Sequence, residues 1–336
     1  MPSASAQKSG VRLVKLAKRP AAEPHTPEAA LGLAPEPGAT ATFIADMREL
    51  FKFKVTAMVL VTTWAGFYLG SLRSGISSLQ TGLLETLVGV GLVSAGASAL
   101  NEALERTSDQ KMIRTAQRPI ASGRISLGFG LTLGLGAVIL GGFWLLYTTN
   151  MLTCALSLLT VFTYVAIYTP LKRVTTLATF IGAFPGAAGP LLGWVAARPK
   201  IEWPGVALFA ILFVWQFPHF MSIGWLYRHD YARAGIKVLP VAQPDGLSTV
   251  IEAIVYAVLM IPVSLAPYWM HMAGPAYAVL ATVLGLVYLG YTLRFARILR
   301  ATSETQSRMF ARDLLKVSVL YLPLLLTGLM LAASIH

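Results

Sequence analysis

The amino-acid sequence predicts an all-α, polytopic membrane protein with nine transmembrane helices, and three observations carry that prediction. First, 55% of the 336 residues are hydrophobic and only 12% are charged, against about 25% charged in an ordinary soluble domain, and the mean hydropathy is +0.64. Second, apolar runs recur along the chain at close to the roughly 17–25 residues that a helix needs to cross hydrocarbon. Third, basic residues are concentrated in alternate loops, as the positive-inside rule demands.

Taken in order, residues 1–45 read as a disordered cytoplasmic tail, because Pro, Ala and Ser dominate and no apolar period runs through them. Lys8, Arg12, Lys15, Lys18 and Arg19 all precede the first acid, Glu23. A mitochondrial presequence shares that pattern, as does a basic tail lying on anionic lipid. No apolar core follows these cations, which argues against a cleaved secretory signal. Residues 46–54 form an interfacial lead-in, and 46–336 reads as one nine-helix domain. The expected spans are 55–72, 83–100, 127–147, 151–168, 177–197, 203–225, 250–270, 277–293 and 317–335. With the N-terminus inside, the inner segments hold 24 of the 27 Lys and Arg, and the outer loops hold only Arg73, Arg198 and Lys200. This accounts for the net charge of +12 without a nucleic-acid partner. The short tail with early acids favours a bacterial plasma membrane over the alternative, a mitochondrial inner membrane. The single cysteine, Cys154, lies in an apolar run; it excludes an internal disulfide or zinc cluster and reads as a small buried hydrophobe.

The stretch 101–124, NEALERTSDQKMIRTAQRPIASGR, interrupts this apolar pattern. Asn101, Glu105 and Asp109 are four residues apart, which on a helix stacks them on one face with about 6 Å of rise per step. Two carboxylates and an amide suit a hard cation such as Mg²⁺, which takes oxygen ligands and shares substrate phosphates. Lys111, Arg114 and Arg118 follow, and guanidinium groups donate paired hydrogen bonds to phosphate. Together they read as a metal–diphosphate site at the mouth of a membrane helix; a solvated loop whose charges pair with each other would use the same residues. A second polar loop, 227–246, holds Arg228, His229, Asp230, Arg233 and Lys237 on the same side of the membrane. The fourth span ends in YTPLKR, Tyr168 to Arg173, where Pro170 should stop the helix and Lys172 and Arg173 serve as snorkelling anchors or as a phosphate clamp. Gly182, Gly186, Gly189 and Gly193, with Pro185 and Pro190 between them, either pack helices closely or leave room for a flat ligand. In the sixth span, Trp215, Gln216 and His219 are polar groups at membrane depth, which normally face an interior. His219 fits three roles: haem-iron ligand, partner to a substrate carboxylate, or bond to a neighbouring helix.

The acid ladder with RTAQRPIASG, then YTPLKR with IGAFPGAAGPLLGW, then WQFPHF with YARAG, resembles the protoheme IX farnesyltransferase (haem O synthase) branch of the UbiA-type intramembrane prenyltransferases, over about residues 50–330. The resemblance implies nine helices around a central cavity. It also implies transfer of farnesyl from farnesyl diphosphate to a vinyl group of haem B, with addition of water and loss of diphosphate. The product would be haem O, precursor of haem A for terminal oxidases, with the bilayer and haem A synthase or another haem-handling protein as partners. Carried onto this chain, it gives Asn101, Glu105 and Asp109 as Mg²⁺ ligands, with Asp230 completing the opposite wall. Lys111, Arg114, Arg118, Lys172 and Arg173 become diphosphate contacts, and Tyr168, Trp215, Gln216 and His219 the haem and prenyl cavity. Mg²⁺ is the only cofactor, because haem B is a substrate. Three departures stand out: Glu105 occupies a position where aspartate is expected, Asp230 is the only carboxylate within 228–237, and Lys237 stands in GIKVLP where the branch reads GIP or GVP. A quinone-precursor prenyltransferase and a transporter with polar gates are the competing readings.

Overall fold

The computed structural model describes residues 39–74 and 82–333, all helical or in turns and loops. The basic residues of the leading tail lie outside them. Among the described residues nine helices are long and apolar enough to span a membrane. The first four are Phe53–Ser74, Gly82–Asp109, Leu127–Thr148 and Met151–Leu171. The last five are Ala178–Ala197, Trp203–Leu226, Leu247–Trp269, Pro275–Arg300 and Glu304–Ala333. A short helix, Ala39–Leu50, precedes them and begins inside the segment expected to be tail.

Two spans overshoot their apolar runs. The second has 28 residues and the ninth has 30, about 42 and 45 Å at 1.5 Å per residue, against a hydrocarbon core of about 30 Å. Hydropathy marks only the greasy part of such a helix, so it ended the second span at 100 and started the ninth at 317. The helix actually carries the acid ladder beyond its apolar run as a rigid extension. The fourth span also continues past Pro170: residues Thr163–Tyr168 form a π turn that widens the helix just before the proline. Such turns accommodate a residue with no N–H to donate and are frequent at functional sites.

Glycine decides which spans touch most closely. A Cβ on Gly66 would fall on the Pro190 carbonyl, and one on Gly193 on the Thr63 carbonyl, so the first and fifth spans approach backbone to backbone. Gly96 and Gly134 do the same for the second and third. The sixth span packs against the fifth, seventh and ninth, in a core that includes Trp194, Tyr277, Tyr288 and Tyr321. The third and eighth spans turn Ile139, Leu140, Phe143, Val279, Val283 and Leu286 outward, as lipid-facing helices do.

Candidate active site

Because the second span stays helical to Asp109, Asn101, Glu105 and Asp109 form one stripe, and each is buried. Each also meets a different cation. Lys52 Nζ donates to Asn101 Oδ1 at 2.6 Å, Lys172 Nζ to Glu105 Oε1 at 2.7 Å, and Arg118 Nη1 to both Asp109 oxygens at 2.9 and 2.8 Å. The stripe lines a polar pocket of about 140 Å³, whose other walls include Arg114, Tyr164, Tyr168, Tyr231, Lys237 and Val238. The two polar loops therefore close over one cavity, and the backbone N–H of Lys237 donates to the Lys172 carbonyl at 2.7 Å. The lining carries five Lys or Arg against two carboxylates, an excess suited to a multiply charged anion.

Electrostatics in this pocket are sharpened by burial. Burial, then the neighbouring Arg118, lowers the Lys52 ammonium to about 8. Burial also opposes charge on Lys172, but Tyr168 and the Glu105 carboxylate outweigh it and hold that pKa above the ordinary lysine value. Arg118 is likewise desolvated, and Asp109 more than compensates. Lys52 has φ +43°, a left-handed conformation that costs a side-chain-bearing residue of order 1–3 kcal/mol and clusters at functional sites. It aims the ammonium at Asn101 instead of along the membrane surface.

The ladder is braced from behind. Asn101 Nδ2 donates to Thr169 Oγ1 at 3.0 Å. Glu102, fully buried, accepts from the Ile120 N–H at 3.0 Å and so anchors the loop that carries Arg114 and Arg118. Arg173 donates to Thr107 and Ser108 on the flank of the ladder. Arg124 reaches back to Asp46 at 2.9 Å and joins the short first helix to this loop.

Tyr164 and Tyr168, stacked at 5.6 Å by the π turn, form the far wall of the polar pocket and the near wall of a second, apolar chamber of about 330 Å³. Lys172 Nζ sits 4.3 Å from the Tyr168 ring centre. The chamber runs between the first, second, fourth and fifth spans and is lined by Val59, Val93, Ser157, Pro185 and Leu192, among others. Gly182, Gly186 and Gly189 line it too, while Gly189 and Gly193 press on the first span, so the glycine series both packs helices and opens space.

Other expected site residues lie elsewhere. Asp230 pairs with Arg233, and its loop lines the pocket through Tyr231, Ile236, Lys237 and Val238. Lys111 is exposed. Trp215 and His219 stack on each other at 4.9 Å and both face the ninth span: Trp215 Nε1 donates to the Ser318 carbonyl and His219 Nδ1 pairs with Ser318 Oγ, each at 2.8 Å. Gln216 donates to the Ala183 carbonyl at 2.8 Å, behind the chamber wall. Sequence reasoning missed Lys52, Tyr164 and Glu102. Tyr164 was findable as the residue one turn before Tyr168; Lys52 was not, since FKFK reads as an ordinary interfacial anchor.

The donors of the stripe are all oxygen, which fits a hard cation. Among the described residues no group of three or more His, Cys, Asp or Glu forms a metal cage. With two carboxylates and one amide oxygen, the stripe suits an ion that completes its shell with phosphate oxygens.

The family model described as "UbiA prenyltransferase family" matches residues 59–314. The chain belongs to the UbiA prenyltransferase family. Its match to curated UbiA relatives runs nearly end to end. It is 46% identical over 301 residues to the protoheme IX farnesyltransferase of Koribacter versatilis, covering 90% of this chain and 97% of that one. To the enzyme of the same name from Aquifex aeolicus it is 36% identical, covering 83% and 93%. Among solved UbiA-like folds, a digeranylgeranylglyceryl phosphate synthase structure superposes with TM-score 0.69 at 20% identity, covering 86% of this chain and 98% of that one. A UbiA homologue from Archaeoglobus fulgidus bound to GPP and Mg²⁺ gives 0.58 at 15%, covering 86% and 99%. At those identities the likeness speaks to the fold, which is the nine-helix UbiA architecture expected from the sequence.

Proposed function

We propose that this chain transfers the farnesyl group of farnesyl diphosphate to a vinyl group of haem B, with addition of water, giving haem O and diphosphate. The observation that carries the reading is the pair of cavities joined at Tyr164 and Tyr168: a cationic pocket sized for a diphosphate, end-on to an apolar chamber. On the fourth span Tyr168 to Ser157 is eleven residues, about 16 Å of helix rise, which matches an extended chain of three isoprene units. Relatives named protoheme IX farnesyltransferase supply the acceptor.

With the diphosphate in the pocket, the reacting carbon lies at the tyrosine neck. Breaking its C–O bond sends both electrons to the diphosphate oxygen and leaves an allylic cation. Lys52, Arg114, Arg118, Lys172 and Lys237 surround the leaving group, and fixed cations in a low-dielectric site stabilise charge as it develops. The Tyr164 and Tyr168 ring faces stabilise the cation, and the chamber keeps water from it. The vinyl terminus attacks that carbon; the new cation, conjugated with the pyrrole, takes up water and loses a proton. Asn101, Glu105 and Asp109 would hold Mg²⁺, which supplies further charge neutralisation for diphosphate. Before substrate binds, Lys52, Lys172 and Arg118 hold these three donors in place. The excess of basic residues on one side supports an orientation with this site and the N-terminus in the cytoplasm of a bacterial plasma membrane.

The test is purified protein in detergent with haem B, farnesyl diphosphate and Mg²⁺, read by mass spectrometry. A product heavier than haem B by one farnesyl and one hydroxyl is expected, and Asp109→Ala should lose it while keeping its elution volume. Absence of the product, with prenylation of 4-hydroxybenzoate when that acceptor replaces haem B, refutes the haem reading.

A further inference from the structure

The acceptor must reach the tyrosine neck, yet the diphosphate fills one cavity and the isoprenoid the other. The structure offers a third way in. A groove of about 460 Å³ lies between the short helix Ala39–Leu50 and the 114–118 loop. It shares Lys52, Arg114, Thr115 and Arg118 with the polar pocket and Val55 with the apolar chamber. All three cavities therefore converge on the turn between Lys52 and Val55.

We propose that this groove is the binding site for haem B. Its propionates lie on Arg48 and Lys54, its macrocycle over Phe53, and its vinyl edge enters at Val55, where the groove meets the apolar chamber. The assignment rests on the farnesyl-transfer reading above and adds where the acceptor sits.

Haem B is amphipathic in the ring plane, with two carboxylates on one edge and vinyls on the other. The groove joins cations at its outer rim to apolar Phe53 and Val55 where it meets the chamber, while Lys52, Arg114, Thr115 and Arg118 line the side it shares with the polar pocket. Arg48 and Lys54 are exposed at the rim, and among the described residues neither forms an ion pair with a carboxylate. The groove's one acid, Glu49, is 3.8 Å from Arg124, so the rim keeps a net positive charge. Phe53 and Val55 are 59% and 56% exposed, an apolar shelf at the point where the first span leaves the membrane. A ligand with charged and greasy edges settles at such a boundary with its carboxylates toward water. On the sixth span, Trp215 and His219 are instead turned onto Ser318.

The experiment uses the full chain in detergent micelles, with haem B and its dimethyl ester titrated by Soret absorbance alongside steady-state kinetics. Arg48→Glu/Lys54→Glu should raise the haem B Kd and KM about tenfold or more, with KM for farnesyl diphosphate within about twofold, which also shows that the variant folds. Arg48→Lys should retain tight binding. The ester should bind wild type more weakly than haem B does, and the double variant should no longer distinguish the two. Unchanged haem affinity in the double variant overturns the site. So does a wild type that binds no haem, or a variant that still discriminates against the ester. Loss of binding to phosphatidylglycerol vesicles with unchanged haem affinity assigns the cations to lipid and likewise overturns it. Soret titration needs no turnover, so the two readings separate. Wild type that binds haem through Arg48 and Lys54 but makes no haem O refutes farnesyl transfer alone; haem O formed with haem binding indifferent to both residues refutes the groove alone.

Discussion

Replacing Lys172 with methionine should separate what the Glu105–Lys172 pair does for folding from what it does for turnover. The two groups are 2.7 Å apart with side chains only 11% and 16% exposed. Removing one partner of a buried pair leaves the other charge uncompensated, at about 3–5 kcal/mol. Lys52 and Arg118 remain near Glu105, so the lower end, about 3 kcal/mol, is expected. At about 2–4 °C per kcal/mol for a chain of this order of size, Lys172→Met should melt about 6–12 °C below wild type in detergent. Adding Glu105→Gln removes the stranded charge and should recover more than half of that loss. Turnover should not return in the double variant, because in the proposed mechanism Lys172 also donates to the leaving diphosphate, and losing one such donor costs about 10²–10³ in rate. Thermal melts and haem O formation on wild type, the single and the double variant decide the matter. A single variant melting within about 1 °C of wild type, or a double variant no more stable than the single, refutes the argument.

Three further outcomes follow from the geometry. Lys52 has a folded pKa of about 8, below the unfolded lysine value near 10.4, so the folded state sheds this proton first and stability rises with pH between about 8 and 10.4. Over the same window the pocket loses a cation, so KM for farnesyl diphosphate should climb above pH 8 in wild type and stay flatter in Lys52→Met; a wild-type KM constant to pH 9.5 contradicts this. Gly193→Ala should abolish accumulation of folded protein, since its methyl would fall on the Thr63 carbonyl in the first span, whereas Gly136→Ala, with open space around it, should accumulate normally; size-exclusion profiles compare them. His219→Ala removes the Ser318 bond and the Trp215 stack, so a stability loss of about 1–2 kcal/mol is expected. Its haem B KM should stay within about threefold, and a larger KM change would place His219 at the acceptor.

The sequence alone determined whatever depends on residues near each other along the chain. Nine apolar runs are nine spans because backbone polar groups in hydrocarbon must be satisfied within a helix. Asn101, Glu105 and Asp109 share a face because four residues is close to one helical turn. What the chain pattern could not decide is which neighbour each face meets. It marked Lys172 and the RTAQR cations as phosphate ligands, but only the folded structure sets Lys172, Arg118 and Lys52 one-to-one against the ladder. It put Trp215 and His219 in an interior cavity and left a bond to a neighbouring helix open for His219, and the rotation of the sixth span turns both onto the ninth. It grouped Asp230 with the ladder, and the loop's path gives that carboxylate to Arg233 and the pocket to Tyr231 and Lys237. Periodicity fixes the angle between side chains on one helix. The neighbour each face meets depends on how pairs of spans pack, and glycines decide this where they let backbones meet, as at Gly66 with Pro190 and Gly193 with Thr63 between the first and fifth spans.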